Sequence, residues 1–318
     1  MLSRVADNLY WMRRYIERGD QIARVVGANL DLAFDRAPVD VARLWGRLLP
    51  AVWSGPAWAQ VDSADRGDAM SDLAGIDAVA SCVAAARENA RQVRQHISED
   101  MWEQVNGVHL ALNDPTRRVA WAARPHGFFQ AVREAAALFD AATNCGLARD
   151  EGWHFLQLGL FLERAAGTAR LLACQMRESP PGTRNDHPLD KQLEWIVLLQ
   201  ANGALELYQR RCGTELSPDR ILLFLIADPL SPRSVRYALD KIAGALAGLA
   251  AAVPGTSPIL LTRDLTSGLE SGRAESLSVM SGIEAECDRI HGLVHRTYID
   301  HVRSVSPMTA RVGLWTTP

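Results

Sequence analysis

Apolar residues recur every three or four positions along most of this chain, the spacing that places them on one side of an α-helix. The first such stretch runs to about residue 34 through Val5, Leu9, Met12, Ile16, Ala23, Val26 and Leu30. The same pattern predicts helices over residues 39–49, 71–75, 76–112 (after an interruption at Gly75 and with a bend between 88 and 98), 117–124, 128–143, 151–177, 189–211, 220–227, 234–253 and 265–305. No stretch alternates apolar and polar residues as a strand would. We therefore predict an all-α protein, a multi-helix bundle.

Proline and glycine clusters mark the predicted ends of these helices. Residues 50–67 are rich in both and predict a loop, and Asn144-Cys145-Gly146 predicts a helix C-cap. The clearest linker is residues 179–188, SPPGTRNDHP. We expect the whole chain, 1–318, to form a single helical domain.

The composition of the chain argues against several classes of protein. A net charge of −3 and a pI near 6.3 lack the basic excess of a general nucleic-acid binder. No apolar run approaches the roughly 18 residues of a membrane span, and the N-terminus lacks the apolar core of a signal peptide. The five cysteines are scattered, which suits a reducing compartment and gives no zinc ribbon. We expect a cytoplasmic protein that binds neither nucleic acid nor membrane.

One stretch of the sequence occurs twice. Residues 9–24, LYWMRRYIERGDQIAR, and residues 155–170, FLQLGLFLERAAGTAR, align at a constant offset of 146. Identical positions are Glu17/Glu163, Arg18/Arg164, Ala23/Ala169 and Arg24/Arg170. A charge inside an apolar helix is costly unless it is paired. We predict two related halves, each opening on a long helix that contains Glu-Arg, with these helices facing each other in one bundle.

The charged residues of the first copy lie along one side of the predicted helix. Arg14, Glu17, Asp20 and Arg24 are three or four residues apart. Three interpretations fit: a salt-bridge ladder, a buried network between helices that only fixes their packing, or a polar seam. In a seam, arginines bind a carboxylate or phosphate and glutamate serves as acid, base or metal ligand. Recurrence in the second copy favours the seam over an ordinary surface ladder.

Two further basic stretches carry candidate binding residues. Arg91 and Arg94 lie at helical spacing near Trp102. This combination can hold an anionic chain, but it is more often found in a helix whose arginines pair with neighbouring helices. Arg233 and Arg236 lie beside the start of a helix, whose N-terminal amides bind anions. An ordinary capped helix start explains the same residues.

Metal chemistry has a weaker basis in the sequence. Glu151 and His154 form one Glu-x-x-His pair, and Asp288 and His291 form a loose second one, as in di-iron bundles. Two such matches are within chance for a chain of this length, and Glu151 suits a helix N-terminus. Nucleotide-binding glycine motifs, a nucleophile elbow and a His-Glu-x-x-His motif are all absent. We expect no metal and no other cofactor.

Four blocks of the sequence, in order, resemble the bacterial alpha-E domain family. They are residues 2–24, 89–106, 151–172 and 223–239. The resemblance implies an all-helical protein, and Glu17 and Glu163 match the family's characteristic glutamates. The family's usual first-block glycine is replaced here by Arg13, and its usual second-block aspartate by Ala166. These departures favour an asymmetric site built on Glu17, Asp20 and Glu163.

The resemblance also implies a functional setting. Members of the family typically accompany, or are fused to, circularly permuted ATP-grasp proteins and transglutaminase-like proteins, which implies making or modifying peptides through amide bonds. We expect a helical accessory that holds a peptide or amino-acid substrate for a separate ATP-grasp protein. The alternative is an enzyme acting on an amide or peptide by itself, with Glu17 or Glu163 as acid or base. The expected substrate-binding residues are Arg14, Arg18, Asp20, Arg24, Arg91, Arg94, Trp102, Arg164, Arg170, Arg233 and Arg236.

Overall fold

The computed structural model describes residues 1–33, 70–176, 188–252 and 277–300, and within these ranges it contains eleven α-helices and no strand. They are α1 (Ser3–Ala33), α2 (Met70–Gln92), α3 (Glu99–Asn113), α4 (Pro115–Ala123), α5 (Pro125–Gly146), α6 (Glu151–Met176), α7 (Pro188–Ala201), α8 (Leu205–Cys212), α9 (Pro218–Ala227), α10 (Val235–Ala252) and α11 (Leu277–Val294). A 3₁₀ turn, Arg94–His96, precedes α3, and a π-helical turn, His295–Asp300, follows α11. The predicted all-α fold is confirmed. Among these helices, none is both long enough and apolar enough to cross a membrane.

Helices α1 and α6 form the centre of the bundle. Helix α1 packs against α2, α5, α6 and α7, and α6 also contacts α10 and α11. Almost every residue of α6 between Phe155 and Ala173 is buried, including Glu163 and Arg164. Because neighbours cover α6 on several sides, its buried residues surround the helix and do not form a single stripe.

Two glycines of α6 allow α1 to approach closely. A Cβ at Gly159 would lie 2.3 Å from the carbonyl oxygen of Tyr10, and a Cβ at Gly167 would lie 2.1 Å from Oε1 of Gln21. Both distances are far inside van der Waals contact. Glycine at these positions therefore brings the two helices near enough for charged side chains of each to reach the other.

The long helix predicted over residues 76–112 is two helices, so that prediction is wrong in its middle. The bend expected there is a complete break, because a 3₁₀ turn separates α2 from α3. Ser98 caps α3, since its Oγ accepts the amide N–H of Met101 at 3.2 Å. Gly75, by contrast, does not interrupt the chain's helical conformation, and α2 runs through it.

The helix predicted over residues 189–211 is also two helices, α7 and α8. Gly203 separates them with a φ of 62°, a left-handed conformation that L side chains rarely adopt. A Cβ there would also lie 2.6 Å from Nη1 of Arg24, so glycine leaves room for that guanidinium group. The C-cap predicted at residues 144–146 is instead the last turn of α5, and Leu147 takes the cap position.

Other predicted helices agree with the structure within a few residues: 151–177 with α6, 220–227 with α9 and 234–253 with α10. Some predictions lie outside the described residues: the helix at 39–49, the loop at 50–67, most of the linker at 179–188 and both ends of 265–305. The single-domain organisation and the structural relation between the two halves stay predictions.

Candidate functional site

The two Glu-Arg dipeptides bind each other across the interface between α1 and α6. Arg164 donates from Nε and Nη2 to the two carboxylate oxygens of Glu17, at 2.7 and 2.9 Å. Arg18 donates in the same way to Glu163, at 2.8 and 3.1 Å. Each helix therefore supplies one carboxylate and one bidentate guanidinium group to the other. The repeated charges form a buried network between helices, which we call the Glu-Arg network.

The loop before α10 closes the Glu17 end of this network. Arg233 donates from Nη1 to Oε1 of Glu17 and from Nη2 to Oδ2 of Asp20, both at 3.0 Å. Arg24 donates from Nε to the same Asp20 oxygen at 2.8 Å, as their four-residue spacing allows. Thr168 Oγ1 donates to the backbone carbonyl of Arg233 at 3.3 Å and holds the loop against α6. Four of the predicted binding residues thus lie together with Glu17, namely Asp20, Arg24, Arg164 and Arg233.

Arg13, at the position where the family resemblance implies glycine, adds another cation to this end. Its side chain is buried, pairs with Asp140 of α5 and lies 3.9 Å from a carboxylate oxygen of Glu17. Its guanidinium group also lies over the ring of Phe139, 5.7 Å from the ring centroid. The sequence marked Arg13 only as a departure from the family pattern, and the structure makes it a member of the Glu-Arg network.

At the other end of the network, three arginines surround Glu163. Arg14 donates from Nε to Oε2 at 2.8 Å, while Arg18 and Arg170 approach Oε1 at 2.8 and 3.5 Å. The Glu163 side chain is fully buried, whereas the side chains of Arg18 and Arg170 are each 32% exposed. At this end of the network, two guanidinium groups are therefore exposed to solvent, whereas the carboxylate of Glu163 is not.

Both buried glutamates are held in the ionised form. Burial alone would raise the pKa of Glu17, but Arg164 and the other arginines around it outweigh burial and hold that pKa well below its usual range. Burial likewise opposes ionisation of Glu163, and Arg14 and Arg18 overcome it, so the pKa of Glu163 is also lowered. A carboxylate that stays ionised with its oxygens occupied by guanidinium groups is poorly suited to exchange a proton near neutral pH.

The comparison with known proteins agrees with this geometry. Residues 1–299 match Alpha-E, a family described as a predicted alpha-helical domain with a conserved ER motif. The chain belongs to the alpha-E family. In its sequence the dipeptide Glu-Arg occurs at 17–18 and 163–164, the two pairs that bind each other.

Three relatives extend the comparison. An uncharacterized protein of Mycobacterium bovis and two uncharacterized proteins from strains of Mycobacterium tuberculosis are each 23% identical to this alpha-E chain over 322 residues. The alignments cover 93% of this chain and 36% of each relative. The alpha-E chain thus spans about a third of the length of these curated relatives. No solved structure matches it.

Arg91, at the end of α2, and Arg94, in the 3₁₀ turn that follows, lie at the surface of this alpha-E protein. Arg91 pairs with Glu88 on the same helix, and both side chains are exposed. Arg94 pairs with Glu99 at the start of α3, and its guanidinium group lies over the ring of Trp102, 5.3 Å from the centroid. These three predicted binding residues therefore contact partners other than those of the Glu-Arg network.

Two remaining sequence candidates also lie apart from the network. Arg236, the last predicted binding residue, pairs with Asp240 one turn further along α10. The Glu-x-x-His pair does not converge on a metal position, because Glu151 binds the amino-terminal ammonium group and His154 packs against Gly248. Within the described part of the chain, no group of three or more His, Cys, Asp or Glu side chains is arranged to hold a metal ion.

A polar cluster between α1 and α11 was missed by sequence reasoning. Tyr10 Oη lies 2.8 Å from Nδ1 of His291, and Arg14 Nη1 donates to Tyr10 Oη at 3.2 Å. The rings of His291 and His295 are 4.4 Å apart, and Trp11 packs against both. Burial and the nearby Arg14 lower the pKa of His291 to about 4, so the ring is neutral at pH 7. The one sequence signal is the four-residue spacing of the two histidines.

An apolar cavity of about 40 Å³ lies between α1, α2, α3 and α5. Its lining includes Tyr15, Ile16 and Gly19 of α1 and Phe139 of α5. None of the arginines or carboxylates of the Glu-Arg network lines it. The cavity and the charged network are therefore separate features of the molecule.

Proposed function

We propose that this alpha-E protein is a substrate-binding accessory in a system that makes or modifies amide bonds. Its partner is a separate circularly permuted ATP-grasp protein, with a transglutaminase-like protein as a second component of the same cytoplasmic system. The alpha-E protein holds an anionic peptide, amino acid or acyl phosphate while the partner performs the chemistry.

The observation that carries this proposal is the guanidinium edge beside Glu163. Arg18 and Arg170 are fixed by a buried carboxylate and are each 32% exposed, so they present positioned hydrogen-bond donors to solvent. Guanidinium groups held in this way suit a carboxylate or phosphate group, which accepts two parallel N–H bonds. A binding role therefore needs no rearrangement of the network.

The length of the mycobacterial relatives supports a partner. The aligned region makes up 36% of each relative, so in those proteins it is joined to a larger amount of additional polypeptide. We infer that other domains act beside the alpha-E region in those chains. This arrangement supports a partner protein that acts together with the alpha-E region.

The alternative, an enzyme that acts by itself through Glu17 or Glu163, has less support. Both carboxylates are buried, ionised and occupied by arginines. A general base has to be free to accept a proton, and a general acid has to hold one at the working pH. Neither condition fits these two side chains.

Reconstitution tests the proposal. The purified chain, a circularly permuted ATP-grasp protein from the same organism, ATP and a glutamate-containing peptide are combined, and amide formation is followed by mass spectrometry. We expect no turnover by the alpha-E chain alone and a faster reaction when it is added to the ATP-grasp protein. Turnover by the alpha-E chain alone, or an unchanged rate on its addition, would contradict the proposal.

A further inference from the structure

The sequence repeat gives Asp20 of α1 and Ala166 of α6 equivalent positions, four residues before Arg24 and Arg170. In α1 the Asp20 carboxylate accepts a hydrogen bond from Nε of Arg24 at 2.8 Å. In α6 the side chain at the equivalent position is a buried methyl group. The second copy therefore lacks the carboxylate with which the first copy satisfies its arginine.

The hydrogen bonding of Arg170 shows the consequence. Its Nε is buried and has no hydrogen-bond partner among the described residues. Its Nη2 comes only within 3.5 Å of Oε1 of Glu163. Because a buried donor without an acceptor is unfavourable, this N–H marks a place where an acceptor is needed.

The side chains that contact Glu163 also carry more positive than negative charge. Arg14, Arg18 and Arg170 carry three positive charges against the one carboxylate that they contact, which leaves two in excess among these four side chains. Asp288 and Glu286 of α11 also act on this region. Cys287 near these arginines does not compensate, since burial raises the pKa of its thiol to about 12 and keeps it neutral. Uncompensated charge in a partly buried site is unfavourable and favours binding of a counter-ion.

We propose that a phosphoryl group binds at this edge and takes the place of the carboxylate that the second copy lacks. Its oxygens accept hydrogen bonds from the partly exposed guanidinium groups of Arg170 and Arg18. A phosphate dianion matches the two excess charges, whereas a carboxylate matches only one. The partial exposure of both arginines gives the group access from solvent.

This inference deepens the proposed function, because it identifies the anionic group of the substrate as phosphoryl, as in an acyl phosphate. The identity of the substrate rests on the proposed function. The phosphoryl site itself rests only on the contacts around Glu163 and the repeat.

Isothermal titration calorimetry of the wild-type chain tests the site directly. The probes are inorganic phosphate, acetyl phosphate and acetate, each in chloride buffer at pH 7.5. We expect saturable binding of both phosphoryl compounds and weaker binding of acetate. Tighter binding of acetyl phosphate than of phosphate identifies an acyl phosphate as the source, and the reverse order identifies free phosphate. Equal affinity for acetate overturns the phosphoryl assignment, and absence of saturable binding overturns the site.

Two variants test which atoms bind. Ala166→Asp supplies a carboxylate at the position equivalent to Asp20, so phosphate affinity should fall roughly 10- to 100-fold and the melting temperature without phosphate should rise. Arg170→Gln should lose a similar factor in affinity without that rise. Arg117→Gln, on the exposed surface of α4, is the matched control and should bind like the wild type.

Phosphate binding that is unchanged in Arg170→Gln overturns the inference, even where Ala166→Asp fails to fold. The calorimetry uses the alpha-E chain alone, whereas the proposed function is tested with the ATP-grasp protein. Phosphate binding without any effect on the reconstituted reaction would reject the function and keep the site. A stimulated reaction without phosphate binding would reject the site and keep the function.

Discussion

Arg164 of α6 binds Glu17 of α1 through two hydrogen bonds of 2.7 and 2.9 Å, and their side chains are only 8% and 2% exposed. The same relationship holds in reverse between Arg18 and Glu163. A pair buried this deeply offsets its desolvation only while both partners are present. This reciprocity explains why the Glu-Arg dipeptide occurs in both copies of the repeat, because each dipeptide binds the other.

Replacing Glu17 with glutamine keeps the shape of the side chain but removes its charge. Arg164 and Arg233 would then be buried without that counter-charge, so we expect the free energy of unfolding to fall by about 3–5 kcal/mol. Urea denaturation followed by circular dichroism measures the change. The double variant Glu17→Gln/Arg164→Gln should lose less than the sum of the two single variants, because it leaves no orphaned charge in that pair. Strictly additive losses would contradict the pairing.

The same substitution at Glu163 should cost less. Arg18 and Arg170 are at the exposed edge and can turn toward water once the carboxylate is gone, so we expect a loss of roughly 1–3 kcal/mol. The urea experiment for Glu163→Gln, run beside Glu17→Gln, makes the comparison. A larger loss for Glu163→Gln than for Glu17→Gln would show that the Glu163 end is the more enclosed of the two.

Substitution of Gly159 tests the close packing of α1 on α6. A Cβ there would meet the backbone carbonyl of Tyr10 at 2.3 Å, and the backbone cannot turn aside as a side chain can, so Gly159→Ala should destabilise by about 2–3 kcal/mol. Gly244→Ala is the control, because nothing lies within 4 Å of its Cβ position. That helical substitution should stabilise by about 0.4–1 kcal/mol. Thermal unfolding of both variants gives the answer, and a stable Gly159→Ala protein would refute the predicted contact.

The cluster at His291 predicts a loss of stability in mild acid. Burial, Arg14 and His295 lower the pKa of His291 to about 4 against an ordinary value of 6.5, while Asp288 and Glu163 oppose the shift. The unfolded chain therefore binds a proton that the folded chain excludes. Stability is complete above pH 6.5 and is lost as the pH falls toward 4.

The size of this effect is limited because His291 is partly exposed. We expect the wild type to lose about 1–2 kcal/mol more than His291→Gln between pH 7 and pH 5, a figure discounted for solvent screening. Urea denaturation at the two pH values measures the difference. An equal loss in both proteins would show that His291 has an ordinary pKa.

The fold follows from apolar periodicity except where a break depends on a tertiary contact. Ser98, followed by Glu99 and Asp100, has the composition of a helix start. Because apolar residues keep helical spacing on both sides of it, periodicity alone predicts one continuous helix. The break at Gly203 is harder to recognise in the local sequence. Part of the reason for glycine there is a contact with Arg24 of the distant helix α1, which neighbouring residues do not reveal. Apolar periodicity indicates which face of a segment packs against the core. It does not indicate which side chains from distant parts of the sequence contact that segment.

The sequence predicted some members of the Glu-Arg network but not which of them pair. Spacing correctly joined Asp20 to Arg24. It also placed Glu17 in the same ladder, although Glu17 binds Arg164 of the facing helix. A charge at a given helical position is compatible with a partner on its own helix or on another one, so only the fold decides between them. The spacing of His291 and His295 places both on one side of a helix but does not indicate that His291 contacts Tyr10 of α1.

In the proposed function, this alpha-E protein binds its substrate at the Arg18–Arg170 edge and leaves the chemistry to a partner. The most direct measurement is the steady-state kinetics of the reconstituted amide-forming reaction with the wild-type chain and with Arg170→Gln. We expect a KM for the anionic substrate that is roughly 10- to 100-fold higher in the variant, with kcat unchanged. A lower kcat at unchanged KM, or turnover by the alpha-E chain without its partner, would contradict it.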